Sequence, residues 1–421
     1  MCQPYRPRDR WPVSALSLLM IQVAITIVAN AIVSHDANSC RWPINRRSTM
    51  NSERLRPSAF TPQTRLAAFA CLEKLAGEDM ERACFAASPY RAIQAISQGL
   101  AQDDATNGKV WIVRASTDPQ THPADDVDMD VGNISAWPLW FRDGPGRFEM
   151  PLLYLLRSES VAGVRAAVYE ATDRGILCND AELTSSRWPK NVQPAVPLWL
   201  ASSLNGTPYD PASGLEALAI LRAAMQVMYV DDKPGFFYMT LHDNNGKVPA
   251  SAQTEVHDAY KGMYRLIAAP ESSTPAVRLL GAGQALGNVV EAARLLREDW
   301  NITGEVWSCP SYTRLAREGH EAEHWNMLHP LSKKKTSHIQ MCLGSGQSPV
   351  LAVTGYGQHI ADQIGGFVSA RFVALGADSH RETTGSPSVQ WIVAAALKVL
   401  GDEGILPMRQ AQEALKRYAL A

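Results

Sequence analysis

The chain has 421 residues, of which 46% are hydrophobic and 19% are charged. This length corresponds to two or three domains of ordinary size, and the composition excludes an intrinsically disordered chain. Forty Lys and Arg residues against forty-two Asp and Glu residues leave a formal net charge of -2, so no overall positive charge favours nucleic acid. We therefore expect a globular protein with a substantial core and no nucleic-acid partner.

A hydrophobic run occupies residues 13–34 and follows three arginines near the amino terminus. It contains no charged side chain and, as a helix, would be about 30 Å long, which is enough to cross a bilayer. Three interpretations stay open: a signal anchor, a signal peptide cleaved near Ala29 and Ala31, or an upstream extension before a translation start at Met50. The last predicts a cytoplasmic protein, whereas insertion of the run would anchor the protein in a membrane.

Residues 64–177 contain sequence patterns of helices, strands and an acidic loop. Helical spacing of apolar residues predicts two or three helices over 64–102, and a short strand is predicted at 110–113. Five aspartates between 118 and 130 lack the Gly and the closing Glu of an EF-hand loop, so we interpret this segment as a solvated acidic loop. A strand, a helix and a second strand are predicted between 152 and 177.

From residue 206 onward, predicted helices and strands alternate regularly. The helices lie at 215–229, 285–298, 312–318 and 358–364, the strands at 236–240, 276–280, 305–309, 350–353 and 371–374, and two last helices begin at Ser386 and Pro407. Such alternation requires crossover connections and a mainly parallel sheet. We predict an α/β fold whose carboxyl-terminal domain has three layers and a mainly parallel sheet, preceded by a smaller α+β or α/β region.

Seven scattered cysteines without any C-x-x-C spacing favour neither a disulfide framework nor a zinc ribbon, and we expect reduced, mostly buried thiols.

The glycines at 281, 283 and 287 stand between a predicted strand and a predicted helix, as in a dinucleotide fingerprint. The third glycine is displaced by one position, and no acidic residue closes a second strand about twenty residues later. We interpret this motif as a tight strand-to-helix turn.

The segment from His320 to His324 matches the pattern H-E-x-x-H. On a helix, His320 and His324 would share one face and could bind zinc, with Glu321 polarising the bound water. However, we expect Gly319 to interrupt the helix, and His329 stands one place short of the third ligand of the metzincins. The lysines at 333–335 are interpreted as a solvated surface turn.

A family resemblance is carried by three segments: PYDPASGLEALAILRAAMQVMY at 208–229, LLGAGQALGNVVEAARLL at 279–296 and YTRLAREGHEAEHWNMLHP at 312–330. They resemble the carboxyl-terminal part of the homodimeric pyruvate dehydrogenase decarboxylating component, a transketolase-like, thiamine diphosphate-dependent enzyme. GFFYMTLHDNN at 235–245 and AYKGMYRL at 259–266 are further matches. In the segment 312–330, His324 replaces what is usually an arginine in the family, and the loop at 375–382 is shorter than the family's.

The resemblance divides the chain into four parts. They are a hydrophobic segment with a linker (1–49), an unassigned α/β region (50–200), a remnant of the middle, pyrimidine-type domain (201–268) and a transketolase-like C-terminal domain (269–421). It implies oxidative decarboxylation of pyruvate with thiamine diphosphate and Mg²⁺, followed by acetyl transfer to a lipoyl-bearing acyltransferase. In relatives, the C-terminal domain contributes to subunit packing, so Trp325, Met327, Leu328 and His329 are expected to pack and to fix a loop.

The cofactor motifs of this family are not found in the sequence. Relatives hold the diphosphate through Mg²⁺ with a G-D-G motif and paired asparagines, and a glutamate of the middle domain activates the aminopyrimidine. This chain contains no G-D-G, and Asn244 and Asn245 stand in another context. We therefore assign no catalytic, cofactor-binding or metal-binding residue from the resemblance.

Three hypotheses about function follow. The first is a truncated or split relative that is inactive alone, with either a homodimer or a companion chain that supplies the diphosphate-binding domain as the expected assembly. The second is a non-catalytic dimerisation or interaction module. The third is a zinc hydrolase that uses His320, Glu321 and His324.

Overall fold

The fold of the chain is that of a computed structural model. It describes residues 60–116, 148–158, 160–171, 174–181, 195–244, 248, 255–269, 276–379 and 386–420. The hydrophobic run at 13–34, the acidic loop, Asn245 and part of the loop at 375–382 lie outside these ranges. Across the described ranges, no helix is both long enough and apolar enough to cross a membrane.

Three helices open the described part of the chain: α1 (Pro62–Leu75), α2 (Glu78–Phe85) and α3 (Pro89–Gln102). Ser88 caps α3, because its hydroxyl accepts a hydrogen bond from the Arg91 N–H at 3.2 Å. Pro89 follows in the first turn, where no backbone N–H is needed. Leu75, Ile93 and Leu100 face inward and are fully buried, which confirms the predicted helical region.

The first sheet contains five strands: β1 (Trp111–Ser116), β2 (Leu152–Arg157), β3 (Arg174–Asn179), β4 (Gly206–Tyr209) and β5 (Gly235–Thr240). Their order is β1-β2-β3-β5-β4, and all neighbours are parallel. Helices α4 (Val161–Glu170), α5 (Ala195–Ser202) and α6 (Gly214–Met225) lie between these strands in sequence. The domain boundary expected after residue 200 falls inside this sheet. Strand β3 precedes that boundary in sequence, β5 follows it, and the two strands pair with each other.

The second sheet contains β6 (Tyr264–Ile267), β7 (Val277–Gly281), β8 (Gly304–Ser308), β9 (Val350–Val353) and β10 (Phe372–Leu375). The order is β10-β9-β7-β8-β6, and only the pair of β6 and β8 is antiparallel. Helices α7 (Ala285–Trp300), α11 (Val389–Asp402) and α12 (Met408–Arg417) share a core with Leu279. Helices α8 (Tyr312–Leu328), α9 (His338–Leu343) and α10 (His359–Asp362) share a separate core with Leu280. The predicted three-layer, mainly parallel domain is confirmed.

The prediction that Gly319 interrupts a helix was wrong. Helix α8 continues unbroken to Leu328. An ideal Cβ atom at Gly319 would lie 2.7 Å from ring atoms of Phe367, so the glycine allows close packing between α8 and this ring. Glycine weakens a helix by only about 1 kcal/mol, which tertiary packing of this kind easily offsets.

The described cysteines are free thiols, as expected. Cys71, Cys84, Cys178 and Cys309 are buried, and Cys342 is partly buried. Burial raises the pKa of both Cys71 and Cys84 to about 12, so these thiols stay protonated at neutral pH.

Candidate functional site

A cleft lies where the carboxyl ends of the two sheets approach each other, and it encloses about 900 Å³, part of it open to solvent. The first sheet contributes Ser158, Asn179, Asp210 and Thr240, and the second contributes Ala282, Cys309, Thr354 and Tyr356. Adjacent strands β7 and β9 are followed by helices on opposite faces of the sheet, α7 and α10. Such a reversal opens a crevice at the strand ends, where ligands of parallel α/β sheets bind.

Helix α5 forms one wall of the cleft through Val196, Pro197 and Leu200. Its carboxyl end is fixed by Arg317 of α8. The guanidinium of Arg317 donates hydrogen bonds to the carbonyl oxygens of Leu200 at 2.8 Å, Ala201 at 3.3 Å, Ser203 at 2.7 Å and Gly206. The last carbonyls of a helix lack partners within it and carry partial negative charge, so a cation stabilises them.

The opposite wall is made by polar side chains at the strand ends. The amide nitrogen of Asn179 donates to the Ser158 carbonyl at 2.7 Å and to the Tyr238 hydroxyl at 2.9 Å. Its amide oxygen accepts from the backbone N–H groups of Ser158 and Ala181, both at 3.1 Å. All four hydrogen-bonding positions of this amide are used, which holds the ends of β2 and β3 together.

Three hydrogen bonds beside the cleft join the two sheets. The hydroxyls of Thr240, at the end of β5, and Tyr356, after β9, lie 2.6 Å apart. The Asp210 N–H donates to the Pro310 carbonyl at 2.7 Å, and the Asp210 carbonyl accepts from the Gly283 N–H at 3.0 Å. Among the described residues that line the cleft, Asp210 has the only charged side chain.

The glycine motif that begins at Gly281 forms a tight turn between β7 and α7, as predicted. The carboxylate of Asp210 explains why glycine occupies position 283. Gly283 has φ +50°, and an ideal Cβ atom there would lie 2.1 Å from a carboxylate oxygen of Asp210. Only glycine allows the carboxylate to approach the backbone of the turn this closely.

Replacing Gly283 with alanine is therefore expected to lower the free energy of unfolding by about 2–4 kcal/mol, because the Cβ atom must displace the Asp210 carboxylate from a left-handed turn. Urea denaturation measures this loss. Gly404→Ala is the matched control, since Gly404 has φ +69° and no atom within 4 Å of its Cβ position. It should lose only about 1 kcal/mol. Equal losses in the two variants would contradict the close approach of Asp210.

Glu216 lies in the first turn of α6 and is completely buried. Its carboxylate accepts hydrogen bonds from the Ala212 N–H at 2.6 Å, the Tyr264 hydroxyl at 2.8 Å and the Ser308 hydroxyl at 2.6 Å. Tyr264 and Ser308 belong to β6 and β8, so the carboxylate joins α6 to the second sheet. Burial raises the pKa of Glu216, and the three hydrogen bonds oppose this shift.

In the sequence, Glu216 resembles an exposed acid that complements the helix dipole in the first turn. A weak signal does exist: its neighbours Leu215, Ala217 and Leu218 are all apolar, so the residue stands inside an apolar run. A carboxylate in such a run must find hydrogen-bond donors from elsewhere in the fold.

The residues of the H-E-x-x-H motif lie away from the cleft. His320, Glu321 and His324 are exposed on α8, and His320 packs edge-on against Phe367 with ring centroids 4.9 Å apart. The described residues contain no group of three or more His, Cys, Asp or Glu side chains that could hold a metal ion.

Met327 and Leu328, which are expected to pack, have side chains that are 70% and 60% exposed in this single chain, so they do not belong to its core. Trp325 and His329 do fix a loop: their rings stack with centroids 4.5 Å apart. In the last two turns of α8 only Ala322 is buried, so an apolar side chain there need not belong to the core.

The carboxyl-terminal half of the chain is similar to known proteins. Residues 262–380 match the family described as the transketolase-like TK C-terminal domain. The pyruvate dehydrogenase E1 component of Cupriavidus necator is 36% identical over 221 residues, which cover 50% of this chain and 25% of that protein. The corresponding protein of Pseudomonas aeruginosa is 35% identical over 231 residues, which cover 52% and 26% of the two chains.

Among solved structures, transketolase from Campylobacter jejuni matches with 14% identity and a TM-score of 0.43, over 78% of this chain and 50% of that chain. The chain spans about a quarter of the length of the curated relatives it matches.

Proposed function

Because the carboxyl-terminal half is related to the pyruvate dehydrogenase E1 component and contains a transketolase-like C-terminal domain, we propose that the chain takes part in decarboxylating a 2-oxo acid. In this proposal it is a split relative of that enzyme, inactive alone, and a companion chain supplies the diphosphate-binding domain. The acceptor of the acyl group is a lipoyl-bearing acyltransferase, and pyruvate is the substrate suggested by the relatives. The observation that carries the proposal is the cleft. The second sheet contributes lining residues between 282 and 356, and these belong to the matched domain.

Thiamine diphosphate would supply a thiazolium carbon that stabilises the carbanion left by decarboxylation. The described residues do not fit its diphosphate and Mg²⁺. The described residues that line the cleft include no Lys or Arg to pair with a diphosphate and a single carboxylate, Asp210, to ligate Mg²⁺, and Asn244 already donates its side-chain amide to Gln284 at 3.0 Å. We therefore propose that the metal and the diphosphate are held by the companion chain.

The experiment measures cofactor binding and pyruvate-dependent reduction of an artificial electron acceptor by this chain, by the companion and by both together. The companion to test is a protein encoded next to this one that contains the G-D-G motif. With both chains present, thiamine diphosphate and Mg²⁺ at a hundredfold excess over Kd should stabilise the complex by about 2.7 kcal/mol. Acceptor reduction should then require both chains.

Thermal stabilisation or acceptor reduction by this chain alone would contradict the need for a companion. Absence of both signals from the mixture, while the two chains form a complex, would contradict the decarboxylase proposal itself.

A further inference from the structure

The end of α8 and the loop that follows it form an exposed surface that the cleft does not use. Met327, Leu328 and Leu331 are 70%, 60% and 102% exposed. Lysines occupy positions 333, 334 and 335, and the chain has no acidic residue between 325 and 341. We call residues 327–335 the α8-end surface. It combines large apolar side chains with charge of one sign.

The α8-end surface is held in one conformation by Trp325 and Asn326. The Asn326 amide donates to the Lys335 carbonyl at 2.9 Å and accepts from the Lys335 N–H at 2.7 Å, which closes the loop onto the helix. The Lys335 ammonium lies 4.7 Å from the centre of the Trp325 ring, on the side chain that also stacks on His329. Because the backbone of this loop is already fixed, a partner would bind it at a small cost in backbone entropy.

Single exposed leucines are common on protein surfaces, whereas three large, exposed apolar side chains within five positions are a concentration that marks candidate interaction sites. Lys333 and Lys334 are exposed and form no ion pair with any acidic side chain of the described ranges. Lys335 is engaged by Trp325, so Lys333 and Lys334 are the cations available to a partner. Interfaces combine an apolar centre with charges complementary to those of the partner.

We propose that the α8-end surface binds an acidic, amphipathic segment of a partner protein. Apolar side chains of that segment cover Met327, Leu328 and Leu331, and its carboxylates pair with Lys333 and Lys334. A second copy of this chain is a poor occupant, because a symmetric contact would bring like charges together. A membrane is also a poor occupant, since surface binding to lipid typically uses a longer amphipathic helix with a continuous apolar face.

The test uses the full chain and a fluorescent twelve-residue peptide of leucines and glutamates in helical spacing. Two matched peptides carry serine for every leucine or glutamine for every glutamate. We expect saturable binding of the Leu/Glu peptide that weakens with salt, and binding about tenfold weaker or less for each matched peptide. The double variant Lys333→Glu, Lys334→Glu and the variant Leu331→Ser should each weaken binding of the Leu/Glu peptide by about tenfold.

Matched control variants are available on other surfaces. Arg409→Glu with Lys416→Glu reverses two exposed charges of α12, and Leu204→Ser removes a leucine that is 88% exposed. Both should bind the Leu/Glu peptide as the parent chain does, and all variants should unfold cooperatively like the parent because the substituted side chains are exposed.

Three results would overturn the proposal. They are absence of saturable peptide binding, equal loss of binding in the control variants, and binding to phosphatidylserine vesicles that is lost in the lysine variants while peptide binding is kept. Concentration-dependent dimerisation that is lost in Leu331→Ser would instead assign the surface to a second copy of the chain.

Discussion

Replacing Glu216 with alanine is expected to lower the free energy of unfolding by about 3–5 kcal/mol. The substitution leaves three buried donors without their acceptor: the Ala212 N–H and the hydroxyls of Tyr264 and Ser308. It also leaves a cavity between α6 and the second sheet, which adds to the loss. Urea denaturation followed by tryptophan fluorescence measures the change.

Glu216→Gln is the matched control, because glutamine keeps the size of the side chain. Its amide oxygen can accept from the Ala212 N–H, and its amide nitrogen can donate to the oxygens of Tyr264 and Ser308. We expect a loss of about 1 kcal/mol, since only neutral hydrogen bonds are exchanged. A loss in the glutamine variant as large as that in the alanine variant would contradict this account of the hydrogen bonds.

The same residue predicts a dependence of stability on pH. Because burial raises the pKa of Glu216 in the folded protein, the folded state holds this proton more tightly than the unfolded chain does. The contribution of Glu216 is therefore fully present below its usual pKa of 4.5 and declines as pH rises through the raised pKa. Glu216→Gln should remove this decline, which is read from the difference between the two pH profiles of stability.

Replacing Arg317 with methionine is expected to lower the free energy of unfolding by about 2–4 kcal/mol. Methionine keeps the apolar stem but removes the guanidinium that donates to the carbonyls of Leu200, Ala201, Ser203 and Gly206. Because these carbonyls lie at the end of α5 and in the turn from α5 into β4, the wall of the cleft should loosen. Hydrogen exchange at residues 195–206 should become faster than exchange at the centre of the first sheet.

Arg297→Met is the control for this substitution, because Arg297 is an exposed arginine of α7. Its replacement should change stability by about 0.5 kcal/mol or less. Arg317→Lys should fall between the two, since one ammonium group keeps the charge but cannot reach four carbonyls in the geometry of the guanidinium. Unchanged exchange at residues 195–206 in Arg317→Met would show that Arg317 does not hold this wall.

Much of the second sheet could be predicted from local pattern. The strand at 350–353 was predicted with the bounds it has, and the helix predicted at 285–298 is two residues shorter than α7. Buried parallel strands are short apolar runs between amphipathic helices, so their signal lies within a few neighbouring residues. The prediction that Gly319 interrupts a helix failed for the opposite reason. The ring of Phe367 is what makes a glycine suitable at this position of the helix, and Phe367 lies far away in sequence.

The sequence by itself determined most of the helices and strands after residue 206 and the relationship of the carboxyl-terminal half to the E1 component, because these depend on neighbouring residues and on segment identity. Only the tertiary structure decided that the strands between 111 and 240 form one sheet and that its edge faces the edge of the second sheet across a cleft. It also decided the role of Glu216, whose partner Ser308 is 92 positions away. Parallel pairing and buried side-chain hydrogen bonds join distant segments, and the choice among distant partners is made by packing the whole chain.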